Sequence, residues 1–145
     1  MQIPWYVTAL GAALVWGVHY PLVDHALKKL SLVSVLLLTA LPIVVLGLFF
    51  HRTLAADYAV WTTLGTGTRA RVLALALTSL LGSVLLFLSI AGKNATLASL
   101  IEISYPVFVA LFAWLLFREI HINPSVIIGG LLVFAGVVMI VWNNP

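Results

Sequence analysis

All but one of the charged residues of this 145-residue chain stand at the ends of long apolar runs or between them, and that spacing leaves few ways to fold. Lys28 and Lys29, His51 and Arg52, Arg69 and Arg71, Lys93, then Arg118 and Glu119 bound five segments of about 20 residues, the length that crosses a hydrocarbon core of about 30 Å. The spans run from about 4 to 27, 32 to 50, 71 to 91, 95 to 117 and 124 to 142. With 63% of positions hydrophobic and 8% charged, the chain cannot cover itself against water; its solvent is the lipid bilayer. An all-α membrane protein of five transmembrane helices is the expected fold class. Met1 to Trp5 carries no positive region of the kind that opens a signal peptide, so the first apolar run is expected to stay as a helix.

Composition also excludes functions. Seven Lys and Arg are scattered and form no basic stripe, so nucleic acid is not an expected partner. Cysteine is absent, which removes disulfides, thiolate metal sites and thiol nucleophiles. No metal-ligand spacing, phosphate loop or nucleophile-base pair stands out, and neither a cofactor nor an enzyme activity is expected.

The connections are short. Gly92-Lys93-Asn94 makes spans three and four antiparallel neighbours. Thr53 to Thr68 is the one sizeable connection, with a turn expected at Gly65 and Gly67 and an interfacial helical extension over Leu54 to Trp61. Trp5, Tyr6, Trp61 and Trp142 fall where an aromatic belt would lie. Asn94-Ala95-Thr96 matches a glycosylation acceptor, but so short a turn holds it at the membrane. Pro21 is expected to kink the first span.

Glu102 carries the most information. It lies in the fourth span about 6 Å from the middle, where an ionised side chain facing lipid costs about 2.5 kcal/mol or more, so it must face protein or water. Helical spacing places Ala95, Ala98, Ser99, Tyr105, Pro106, Val109 and Ala113 on its side of the helix. Pro106 lacks the N–H that would bond the Glu102 carbonyl, which frees a backbone acceptor beside the acid. Such an acid either serves transport or is a structural group bonded to a neighbouring helix. Thr8, Ala9, Ala12, Trp16, His19 and Tyr20 share one face of the first span. His19 is the expected partner of Glu102, because an imidazole exchanges protons near neutral pH. Trp16, Tyr20 and Tyr105 either form an aromatic wall for an amine or planar substrate or simply pack. Ser79, Gly82 and Ser83 on the third span are expected to let helices approach closely rather than to touch substrate, and Gly129 and Gly136, seven apart on one face of the fifth, to pack within the chain or else at a dimer contact. Arg118, Glu119 and His121 belong to the interface.

From Gly92 to Trp142 the order of features resembles the second part of an EamA domain of the drug/metabolite transporter superfamily. A short turn leads into a small-residue helix start; then come the Tyr105-Pro106 step, Glu119 at the helix end, and a last helix with Gly129, Gly130 and Gly136. Leu14-Val15-Trp16-Gly17 followed by Pro21 is similar to the family's first helix. The resemblance implies one EamA-like repeat of five helices, whereas typical members carry two in inverted orientation. It therefore implies that two copies associate around a small-molecule substrate.

Positive charge sets orientation. Arg52, Arg69, Arg71 and Arg118 lie on the N-terminal side and Lys28, Lys29 and Lys93 on the other, so four face three. That near balance leaves two readings: one fixed orientation with the N-terminus inside, or dual topology with an antiparallel homodimer. The expected protein is a multi-pass transporter of metabolites or drug-like amines in the cell's cytoplasmic (inner) membrane. The alternative is a subunit without a solute cycle, or of lipid-carrier flippase type, packed with a partner protein.

Overall fold

The computed structural model describes residues 3–120 and 122–144, and His121 lies outside them. The described residues form α1 (Trp5–Leu27), α2 (Leu32–Phe49), α3 (His51–Thr63), α4 (Thr66–Gly92), α5 (Ala95–Glu102), α6 (Tyr105–Phe117) and α7 (Pro124–Asn143). With α5 and α6 taken as one segment, five helices are long and apolar enough to cross a membrane. The protein is an all-α membrane protein.

Its exposure pattern is that of a protein dissolved in lipid. Leu85 is 66% and Leu131 65% exposed, while the buried apolar side chains among the described residues are Val23, Val35, Phe87, Ile90, Ala95 and Ala98. Lipid tails are as apolar as leucine, so helices gain little by hiding such side chains and associate through close packing and polar contacts instead.

The chain divides into two compact units. One joins α1 up to Pro21 with α5, α6 and α7, and in it α5 packs against α7. The other is Leu22–Ala91. Within this second unit the connection between spans is more ordered than the sequence suggests. The helix breaks at Phe50 (φ −99°, ψ 28°), and His51 Nδ1 lies 3.1 Å from the Leu48 carbonyl, placed to donate to it. Leu54 reaches back toward Gly47, where its Cδ1 would be 3.6 Å from an added Cβ. The α3 helix is thus longer than the Leu54 to Trp61 extension expected.

At its far end Arg69 does the capping. Its guanidinium donates to the carbonyls of Trp61 (3.2 Å) and Thr62 (2.7 Å), and its Cζ sits 5.9 Å from the Trp61 ring centroid. A cation at a helix C-terminus satisfies free carbonyls and opposes the helix dipole. The α4 helix begins at Thr66, so Arg69, Arg71 and Gly67 ride on its first turns and Leu64–Gly65 makes the turn. Its 27 residues span about 40 Å, more than the hydrocarbon core requires.

Capping also fixes the start of α5. The Asn94 side chain accepts a hydrogen bond of 2.8 Å from the Leu97 N–H, so the residue of the glycosylation-like triplet serves as an N-cap. Asn94→Ala is expected to lower stability by about 1 kcal/mol, read as a fall in thermal unfolding temperature of the detergent-solubilised protein.

Candidate functional site

The fourth span is not one continuous helix. α5 ends at Glu102, α6 begins at Tyr105, and Ile103 and Ser104 join them in right-handed but tightened conformations. The Ser104 N–H bonds the Ile101 carbonyl at 3.1 Å and the Val107 N–H bonds the Ser104 carbonyl at 3.1 Å, both spaced by three residues. Proline supplies the cause. Pro106 cannot serve the Glu102 carbonyl and is well suited to the first turn of a new helix, so the ladder restarts around it. Such a step of tighter helix in mid-span leaves the Glu102 carbonyl without a bond from Pro106, so a backbone acceptor is freed beside the acid.

Glu102 sits on the last turn before that step and is half-buried. On the same side of α5, Ala95 and Ala98 are buried and Ser99 half-buried, which gives the acid a small-residue approach. Ser99 donates its hydroxyl proton to the Thr96 carbonyl of its own helix at 3.0 Å, leaving its oxygen lone pairs as acceptors.

Tyr20 closes the site from α1. Its hydroxyl donates to Glu102 Oε2 at 2.7 Å, a hydrogen bond between residues 82 apart in sequence. The phenol is one place along the chain from His19, the partner expected from sequence. His19 stays in the same group of rings: its centroid is 5.0 Å from that of Trp16, edge to face, and 6.1 Å from that of Tyr20. Trp16 and Tyr20 lie 5.5 Å apart with planes tilted by 40°. Trp16, one turn nearer the N-terminus, is 51% exposed, and Tyr105 at the head of α6 is 59% exposed.

Tyr20→Phe is expected to remove a polar contact in the membrane. The expected loss is about 0.6 to 1.7 kcal/mol of stability. Thermal unfolding of the single variants and of Tyr20→Phe with Glu102→Ala reads the coupling between the two groups.

The expectation that Gly129 and Gly136 pack within the chain needs correcting: a Cβ placed at either would meet nothing within 4 Å among the described residues, and one at Gly82 meets nothing within 4 Å in its own unit. Instead Gly130 faces a neighbour, with Val107 Cγ2 3.5 Å from the built Cβ. One residue along a helix turns the face by about 100°, which separates the open Gly129 from the packed Gly130. Ser83 is half-buried, whereas Gly82 is exposed.

Sequence reasoning missed Tyr20 as the donor to the acid and the step at Ile103–Ser104. A signal for the step exists: Ser104-Tyr105-Pro106 is the composition of a helix start, with a hydroxyl residue just ahead of a proline in the first turn. For Tyr20 the only sequence signal is its place on the polar face of α1.

Among the described residues, no cluster of His, Asp and Glu could hold a metal ion. The arrangement is thus a carboxylate with a phenol donor, an aromatic group beside it and a helix step at its back, suited to proton exchange and to binding a cation. No curated protein and no solved structure matches the chain. The model of the EamA-like transporter family matches residues 3–142, almost the full length, and the chain belongs to that family.

Proposed function

We propose that this protein is a secondary transporter of small metabolites or drug-like amine solutes, with its site around Glu102. The observation that carries this reading is the Glu102 carboxylate, held by the Tyr20 hydroxyl at 2.7 Å on the turn where the fourth span breaks. An ionisable group within a membrane span is expensive and marks a pathway or proton relay more often than a bare structural contact. Discontinuous helices near the midplane are where secondary transporters place substrate and coupling-ion sites. Family membership supports a membrane transporter over an enzyme.

The rest of the proposal concerns assembly. On this reading the second repeat is supplied by another copy inserted in the opposite sense, as an antiparallel homodimer in the cytoplasmic (inner) membrane. The near-even split of Lys and Arg between the two sides supports it. Twofold symmetry then brings two Glu102 carboxyls to one cavity, and rocking of the copies alternates access. Protons and a cationic solute compete for those acids. Trp16, Tyr20, Tyr105 and Ser99 border the solute and His19 assists proton exchange.

Native mass measurement and cross-linking in the membrane test the assembly. A dimer of the 15.7 kDa chain, free of other proteins, is the expected result. A second protein present in fixed stoichiometry would favour the subunit or lipid-carrier flippase reading and overturn this one.

A further inference from the structure

Between α6 and α7 the first unit holds a half-open groove of about 560 Å³. Its wall is almost wholly apolar. Pro106, Val107 and Ala110 form one side, and the other runs from Ile122 past Gly129 to Phe134. We propose that this groove binds one acyl chain of an anionic phospholipid, with the phosphate held at Arg118.

Depth argues for an acyl chain. From Pro124, the start of α7, to Phe134 the helix rises by about 15 Å, half the thickness of the hydrocarbon core. The groove therefore runs from the interface to the midplane and stops near Pro106, which suits a chain from one leaflet. A helix from a second copy would cross the full thickness and would need a groove continuing along the whole of α7. The glycine corrected above fits the same picture: Gly129 lines the groove, and a Cβ there meets nothing within 4 Å because that space is open.

The mouth argues for an anionic headgroup. Val107, Ala110 and Trp114 fall within about 60° of one another on α6, so Trp114 continues the groove stripe toward the interface. The Arg118 guanidinium is held over Trp114, its Cζ 5.4 Å from the ring centroid. Arg118 itself is in the left-handed region (φ 59°), and the Glu119 N–H reaches back to the Ala113 carbonyl at 3.3 Å. That turn ends α6 and leaves the exposed Arg118 side chain where headgroups lie. Glu119 follows it and offsets part of the charge, so the selectivity expected is severalfold.

The experiment is native mass measurement of the full chain released from mixed micelles, with phosphatidylglycerol and phosphatidylcholine of identical chains. One retained phosphatidylglycerol per copy is expected, preferred over phosphatidylcholine by about fivefold, the value of one surface cation. Gly129→Leu fills the groove where there is room and is expected to cut retention about tenfold, since the close packing of the chain against the groove wall is lost. Ala110→Leu narrows it from the α6 side and gives the same readout if Gly129→Leu does not fold as judged by helical circular dichroism. Arg118→Asn keeps a residue that tolerates the left-handed conformation and is expected to abolish the headgroup preference while retaining lipid. Unchanged retention in the filled variants, or equal retention of the two lipids by the unmodified chain, overturns the proposal. So does efficient disulfide cross-linking between copies through a single cysteine at Ile127, which would place a second copy in the groove.

Discussion

Glu102→Gln is expected to leave a folded protein whose transport no longer responds to pH. The amide has the shape of the acid and still offers a carbonyl to the Tyr20 hydroxyl, so the contact at 2.7 Å between α1 and α5 survives. What disappears is the ability to take up and release a proton, and with it the negative charge that a cationic solute would meet. An ionised carboxylate in this position costs about 2.5 kcal/mol or more against lipid, so removing the charge favours folding, and a purely structural acid would tolerate the change well. Function is expected to move the other way. Uptake into proteoliposomes driven by a pH gradient should fall about a hundredfold, the effect of ~2.7 kcal/mol on the limiting step. The residual rate plotted against pH should be flat. A variant that keeps the slope and magnitude of the unmodified protein would make Glu102 a structural group and end the transport reading.

How much of this was visible beforehand depends on what each feature needs to be specified. The five spans are legible because a crossing helix requires only length and apolarity, and the Lys and Arg residues mark where each ends. Glu102 is legible for a related reason: an acid inside such a run stands alone against its neighbours. Its partner is a different matter. His19 and Tyr20 are adjacent on α1 and differ in direction by about 100°, and that the Tyr20 hydroxyl reaches Glu102 depends on how α1 is rotated against α5. No local pattern encodes that rotation. The same ambiguity separates Gly129 from Gly130, where the sequence shows glycines and only the packing of α6 against α7 shows which of them touches Val107. Arg69 is a third instance. Read as a flanking charge, it looks like any interfacial arginine, yet its hydrogen bonds to Trp61 and Thr62 tie α3 to the first turns of α4.

That role of Arg69 shapes the second large expectation, which concerns orientation. Lys28→Ala with Lys29→Ala leaves Lys93 as the only Lys or Arg on its side, against Arg52, Arg69, Arg71 and Arg118 on the other. Asp24, which pairs with Lys28 at 3.1 Å, does not compensate, because acidic residues contribute little to orientation. Nearly all copies are then expected to insert with the N-terminus inside. The opposite bias comes from Arg52→Ala with Arg71→Ala, which leaves two arginines facing three lysines and spares Arg69, whose loss would free the end of α3. On the antiparallel reading each variant alone lacks partners, and its transport is expected to fall about tenfold or more. Expressed together they supply one copy of each orientation, and activity is expected to return. Cysteines introduced at each terminus and labelled from either side of intact membranes read the orientations directly, with no native cysteine to interfere. Full activity from either variant alone, with every copy labelled in one orientation, would show that the site is built without an inverted twin.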